Sequence, residues 1–313
     1  KKEKVMICTE GLKPMRHHTN TGKVPDFYKE SYYLVRGDPA QKNGIAPIDF
    51  PEVLIRNGKT ASYWAVDKTP GTRTSMKRSR VANWITDVDN GAGHLLARVI
   101  VNRLWYHHFG RGIVESVNDF GFQGGKPTHP DLLDYLAQDL ISHGWTLKRI
   151  HKKIMMSKAY RMGSSNSRKN RELDPTNRYW WKRTPRRLEA EIIRDNALAV
   201  SGLIDRRMYG AGTLDQSMKR RSIYFSVKRS KLIPIMQIFD WPDTMTSQGR
   251  RAITTTPSQA LVFLNSPEIR EMAAHFAQTV LGSSDPVGTA VYRAHGRLPS
   301  QQQRMQMNQF LEE

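Results

Sequence analysis

The chain has 313 residues, 25% of them charged and 38% hydrophobic, which is enough to build a sizeable core and too apolar for global disorder. A single cysteine, Cys8, rules out an internal disulfide framework and any Cys-based metal cluster. The formal charge of +20 is concentrated between Trp145 and Lys231, where 23 Lys and Arg stand against 7 Asp and Glu, and such a field draws polyanions or an acidic partner surface.

Residues 1–80 carry closely spaced prolines and glycines that suit extended runs better than long helices. Val5–Thr9 and Ser31–Arg36 have strand composition, and Gly37-Asp38-Pro39 marks a turn. The opening KKEKVMICTEG has too short an apolar core for a signal peptide and no initiator Met, so the chain reads as a piece of something longer. No run approaches the length needed to span a membrane.

Residues 81–282 read as a helical core and 283–313 as a C-terminal helical pair. Leu95, Leu96, Val99, Ile100, Leu104, Trp105 and Phe109 recur at helical spacing until Gly110, with Arg98, Asn102 and Tyr106 on the opposite side. A loop with five glycines between Gly110 and Gly125 follows, and Thr128 is placed to cap the next helix, whose stripe is Leu132, Leu133, Leu136, Ala137, Leu140 and Ile141. Leu147, Ile150, Ile154 and Met155 mark a third helix, and 164–177 a polar loop. A long helix is expected from Pro185 to Ile204 with Leu188, Ile192, Ala199 and Leu203 inward, then a strand at Arg221–Val227. Thr256 and Pro257 start a helix facing Ala260, Leu261 and Leu264 inward, and further helices run to Leu281, Ala294 and Leu311. The fold class is thus mainly α, an irregular multi-helix domain with a small β-containing, extended N-terminal layer.

Several residues are candidates for chemistry, each with a structural counterpart. His107, His108 and His129 offer imidazoles near a loop, but adjacent residues on a helix diverge by about 100°, and the HExxH pattern is absent, so no metal site is assigned. His107 could instead pair with Asp119, and His129 could serve at the start of a helix. Asp119 lies in a DFG tripeptide without the other parts of a kinase, and its expected partners are turn amides or Arg103. Glu189, Glu191 and Asp195 could act as general acid and base, or hold a cation if Glu191 and Asp195 converge. The alternative is a buried network with Arg186, Arg187 and Arg194. Arg178, Trp180, Trp181, Lys182 and Arg183, with Arg186 and Arg187 beyond, interleave aromatics and cations as polyanion-binding surfaces do, although both tryptophans could equally anchor a core.

Five blocks, VNRLWYHHFGRGIVESVNDFG, THPDLLDYLA, GWTLKRIHKKIMMSKAYR, DPTNRYWWKRTPRRLEAEIIRDNALAVSG and TTTPSQALVFLNSP, resemble in type and order the planctomycete secreted-protein domain family known as domain of unknown function 1553. The resemblance covers about 31–281 and implies an exported parent, periplasmic or extracellular. It also implies neighbouring domains that include c-type cytochromes and carbohydrate-binding-like modules, so haem is expected on a neighbour and no cofactor in this chain. It implies no reaction. Binding or scaffolding, of an anionic polysaccharide or a partner redox domain, is the leading expectation. A metal- or carboxylate-dependent hydrolase or redox enzyme is the alternative, and nucleic-acid binding the third.

Overall fold

The computed structural model describes residues 30–71 and 74–312, so the strand expected at Val5–Thr9 lies outside the described residues. Among those described, eleven α-helices accompany one two-stranded antiparallel sheet, a mainly α architecture with its β layer near the N-terminus. The chain divides into two compact units, Lys1–Thr184 and Pro185–Glu313.

In unit 1, strands β1 (Ser31–Leu34) and β2 (Lys42–Ala46) form a hairpin. Helix α1 spans Lys77–Thr86, and Trp84 stacks on Phe50 at 4.5 Å beside the buried Trp64. Helix α2 (Gly93–Phe109) stops at Gly110, whose φ of 80° suits a residue without Cβ. Its fully buried line is Ala97, Val101 and Trp105, a strict four-residue spacing of small and flat side chains that lets α3 (Pro130–Ser142) approach. Asn102, expected on the outer side, is fully buried because its amide serves the backbone of the following loop. Helix α3 buries Leu133, Leu136, Ala137 and Leu140 as its pattern predicts. Its first turn is preceded by His129 rather than capped by Thr128, whose hydroxyl is directed to the Ile113 carbonyl. Helix α4 (Leu147–Met156) closes the core with Ile150 and Ile154. The expected polar loop contains a short helix α5 (Arg168–Leu173), started by the Ser167 hydroxyl accepting the Asn170 amide.

In unit 2, the long helix is shorter than its periodicity suggests: α6 covers Ala190–Ser201, and Gly202 ends it at φ 84°. It buries Ala190, Arg194, Leu198 and Ser201, while Leu188 and Ile192 are exposed. The face is rotated because Arg194 points inward to meet the carbonyls of Gln216, Met218 and Arg220. Arg221–Val227 is not a strand. Asp195 accepts both the amide and hydroxyl of Ser222, drawing Ser222–Tyr224 into a 3-10 turn, and one isolated bridge, Thr213 to Phe225, remains. Helix α7 (Pro234–Ile238) supplies Met236 to the core. Helix α8 (Pro257–Asn265) buries Gln259 and leaves Leu261 and Leu264 exposed, because the Gln259 amide reaches the Ile238 carbonyl. Helices α9 (Pro267–Leu281), α10 (Pro286–His295) and α11 (Gln301–Glu312) follow at the expected places.

Candidate functional site

The densest grouping of aromatic and ionisable side chains lies at the C-terminal end of α2 in unit 1. Trp105 stacks on Phe109 with centroids 4.3 Å apart, and Trp180 meets Trp105 edge-on at 5.2 Å. His129 lies 5.0 Å from the Trp180 ring and 5.6 Å from Tyr179. Arg183 places its guanidinium over Tyr160 at 4.6 Å and Phe109 at 5.3 Å. His108 Nε2 and His151 Nδ1 are 2.8 Å apart, a geometry in which one ring donates and the other accepts. Two buried donors in this group, Trp105 Nε1 and Arg183 Nη1, find no hydrogen-bond partner among the described residues. Burial lowers the pKa of His129, which favours its neutral form.

The segment 174–184 is shaped by its own polar side chains. The Asp174 carboxylate accepts the amides of Arg178 and Tyr179, and its carbonyl accepts Trp181 Nε1. Burial pushes the Asp174 pKa up, but those amides outweigh it and the net shift is downward. Asn177 donates to the Lys182 carbonyl and Thr184 hydroxyl. The turn holds Trp180 at φ 51°, in the left-handed region, with its ring in the core and Tyr179 outside. Trp180 is therefore a core anchor. Trp181 is half-buried under the Lys182 ammonium, Arg183 is folded over rings, and Arg178 stays exposed.

The glycine loop is fixed by hydrogen bonds. Arg103 donates to Asn118, not to Asp119, and Asp119 accepts the Gly121 amide, as a turn residue does. His107 is exposed and lies edge-on to Tyr106, while His108 is directed to His151. His129 thus meets the aromatic segment, whereas His107 and Asp119 are on other parts of the loop region.

Glu191 and Asp195 belong to unit 2 and have separate partners. Glu191 takes a two-point ion pair from Arg251, and although its burial raises the pKa, that pairing and further hydrogen bonds bring it below the usual value. Asp195 holds Ser222 and lies 3.7 Å from both Arg194 and Arg221. Arg194 is almost wholly buried and donates to three carbonyls and Ser222; burial lowers its pKa. Arg187 pairs with Asp240 rather than with Glu191, and donates to the carbonyls of Thr254, Leu188 and Phe239. Arg186 is exposed.

Sequence reasoning missed His151, Tyr160, Asn102 and Asp139. His151 and Tyr160 sit beside an apolar stripe and carry no motif of their own. Asp139 is a buried carboxylate within the α3 stripe, and the signal for it was the Arg149 and Lys153 that pair with it from α4. Among the described residues, no three His, Cys, Asp or Glu side chains are grouped to hold a metal ion, and no helix is long and apolar enough to cross a membrane.

No curated protein and no solved structure matches the chain. Residues 77–311 match the family model described as PSD1, protein of unknown function (DUF1553), a match that takes in the glycine loop, both imidazole groups and all of unit 2 up to Leu311. The chain belongs to that family.

Proposed function

We infer that unit 1 binds an anionic polymer, with sulfated or carboxylated polysaccharide as the class, and that it does so as a non-catalytic module of an exported multidomain protein. The observation that carries this is the imbalance of charge on α4, α5 and the segments after them. Lys148, Lys152, Lys158, Arg161, Lys169 and Arg171 are exposed and form no ion pair with a described residue. The two carboxylates between 145 and 184 give little relief: Asp174 is spent on backbone amides and Glu172 on Arg168. Exposed Arg178 and Tyr179 add a cation beside a flat ring, which suits a sugar carrying sulfate or carboxylate. The choice of polysaccharide over nucleic acid rests on the expected export of the parent. The catalytic alternative is weakened by the engagement of Glu191 with Arg251 and of Asp195 with Ser222.

The test is a salt titration of binding to heparin, dextran and double-stranded DNA. Heparin should bind, with affinity falling steeply as salt rises, and dextran should not. Lys148→Glu combined with Lys152→Glu and Arg161→Glu should weaken heparin binding by roughly 10-fold or more. Unchanged heparin affinity in that variant, or equal affinity for dextran, overturns the reading. Tighter binding to DNA than to heparin moves the assignment to nucleic acid.

A further inference from the structure

Unit 2 contains a cavity of about 210 Å³ where α6, α7, α8 and α9 meet. Its walls are mostly hydrocarbon, from Ile235 and Ile238 on α7, Val262 on α8 and Met272 on α9. A dry apolar cavity of about 150 Å³ is enough for benzene, and drug-sized ligands occupy roughly 300 Å³ or more. The space therefore suits one ring or a branched chain with a short polar head.

The polar side chains on its lining differ in what they have left to give. Arg194 spends both terminal nitrogens on four acceptors, Gln216, Met218 and Arg220 carbonyls and the Ser222 hydroxyl, so it contributes positive field without a free terminal donor. Gln216 uses Oε1 to accept the Ile235 amide, and its Nε2 donates to no described group. Glu268 receives the Ser266 hydroxyl on one oxygen, which lowers its pKa and keeps it ionised at neutral pH. Its second oxygen retains acceptor capacity. The cavity thus offers one amide donor and one anionic acceptor above an apolar floor.

Charge selects among possible heads. Arg194 is the cation on the cavity lining, while Lys219, which also acts on Glu268, is neutralised by Glu271 at 2.7 Å, so an ammonium ligand meets one buried cation beside one carboxylate. A carboxylate ligand meets Glu268 itself. A neutral primary amide meets neither penalty, because its N–H donates to Glu268 and its carbonyl accepts from Gln216 Nε2. We propose that this cavity binds a small neutral ligand with a single-ring or branched apolar body and an amide head, held between Gln216 and Glu268.

Binding is measured by calorimetry and ligand-observed NMR on the whole chain at neutral pH, with benzamide, benzoate and benzylamine as size-matched probes. Benzamide should bind, and the charged probes should bind about 10-fold more weakly or worse. Glu268→Gln, at a half-buried position in the first turn of α9, should weaken benzamide several-fold by removing the charge on the acceptor. Val262→Phe should abolish binding by filling the cavity; if that variant does not fold, Glu268→Gln alone decides. Equal or tighter binding of either charged probe overturns the neutral-head assignment. No benzamide binding at millimolar concentration, or affinity unchanged in Glu268→Gln, overturns the site.

Discussion

Asn102 and Val114 exchange through one side chain the two hydrogen bonds that a neighbouring strand would otherwise supply: Asn102 Nδ2 donates to the Val114 carbonyl at 2.9 Å, and Oδ1 accepts the Val114 amide at 2.8 Å. Asn102 is fully buried and Val114 nearly so, and water cannot easily replace either bond. Asn102→Ala should therefore cost about 2–4 kcal/mol, since two buried backbone groups lose their partners at once. Asn102→Asp should also destabilise, because the carboxylate has no donor for the Val114 carbonyl. Urea denaturation of the variants measures both.

Gly112 lies against the same pair. A Cβ there would come within 2.3 Å of the Val114 carbonyl oxygen and 2.8 Å of the Asn102 amide. Gly112→Ala should cost roughly 1–3 kcal/mol through overpacking. At Gly125 an added Cβ would meet nothing closer than 3.6 Å, and its φ is not in the left-handed region, so Gly125→Ala should change stability by less than about 0.5 kcal/mol. Thermal unfolding of the two variants side by side distinguishes them.

Asp139 gives unit 1 a defined response to acid. Arg149 holds its pKa down, to about 2 from 3.8, against the opposing effect of burial and with help from Lys153. The folded value lies below the unfolded one, so the stabilisation is complete above about pH 4 and is lost as pH falls from there toward 2. Solvent reaches Arg149, whose side chain is 41% exposed, and the contribution is discounted to about 1 kcal/mol. Asp139→Asn should lower stability at pH 7 and flatten its fall between pH 4 and 2, as followed by denaturation midpoints across that range.

Arg187 and Arg178 should behave oppositely although the same basic stretch contains both. Arg187 is largely enclosed, with Asp240 beside it, and its removal leaves that carboxylate without its cation, held by the Thr254 amide and hydroxyl alone; Arg187→Ala should cost about 2 kcal/mol while leaving heparin affinity of the folded protein unchanged. Arg178→Ala should weaken heparin binding and leave the unfolding midpoint within about 0.5 kcal/mol of the parent. Loss of heparin affinity in both variants would show that Arg187 is part of the binding surface.

Helices with strong apolar periodicity were readable before folding: α3, α9 and α10 fall where their apolar and Pro spacing puts them. The errors lie where a polar side chain overrules the stripe. Asn102, Arg194 and Gln259 are each buried to satisfy backbone groups distant in sequence, and in the helices of Arg194 and Gln259 residues expected inside, such as Ile192 and Leu264, face outward. The RYWWKR run was legible as aromatic and cationic, but its division into an inward Trp180 and an outward Tyr179 depends on the left-handed turn that Asp174 and Asn177 impose. The His108–His151 pair joins residues 43 positions apart and has no local signature.

Among the described residues the β1–β2 hairpin has two strands, and each leaves one row of amides and carbonyls without a described partner strand. Tyr33 and Ile45, one on each strand, are more than half exposed. Two strands with so little apolar cover have marginal stability of their own. In hydrogen-exchange terms the hairpin amides should exchange through local opening well before those of α2 and α3. The same exposed rows make it the segment of unit 1 best suited to accept a third strand from another polypeptide, so a partner that docks by strand addition would leave its mark first as slowed exchange at Ser31–Leu34 or Lys42–Ala46.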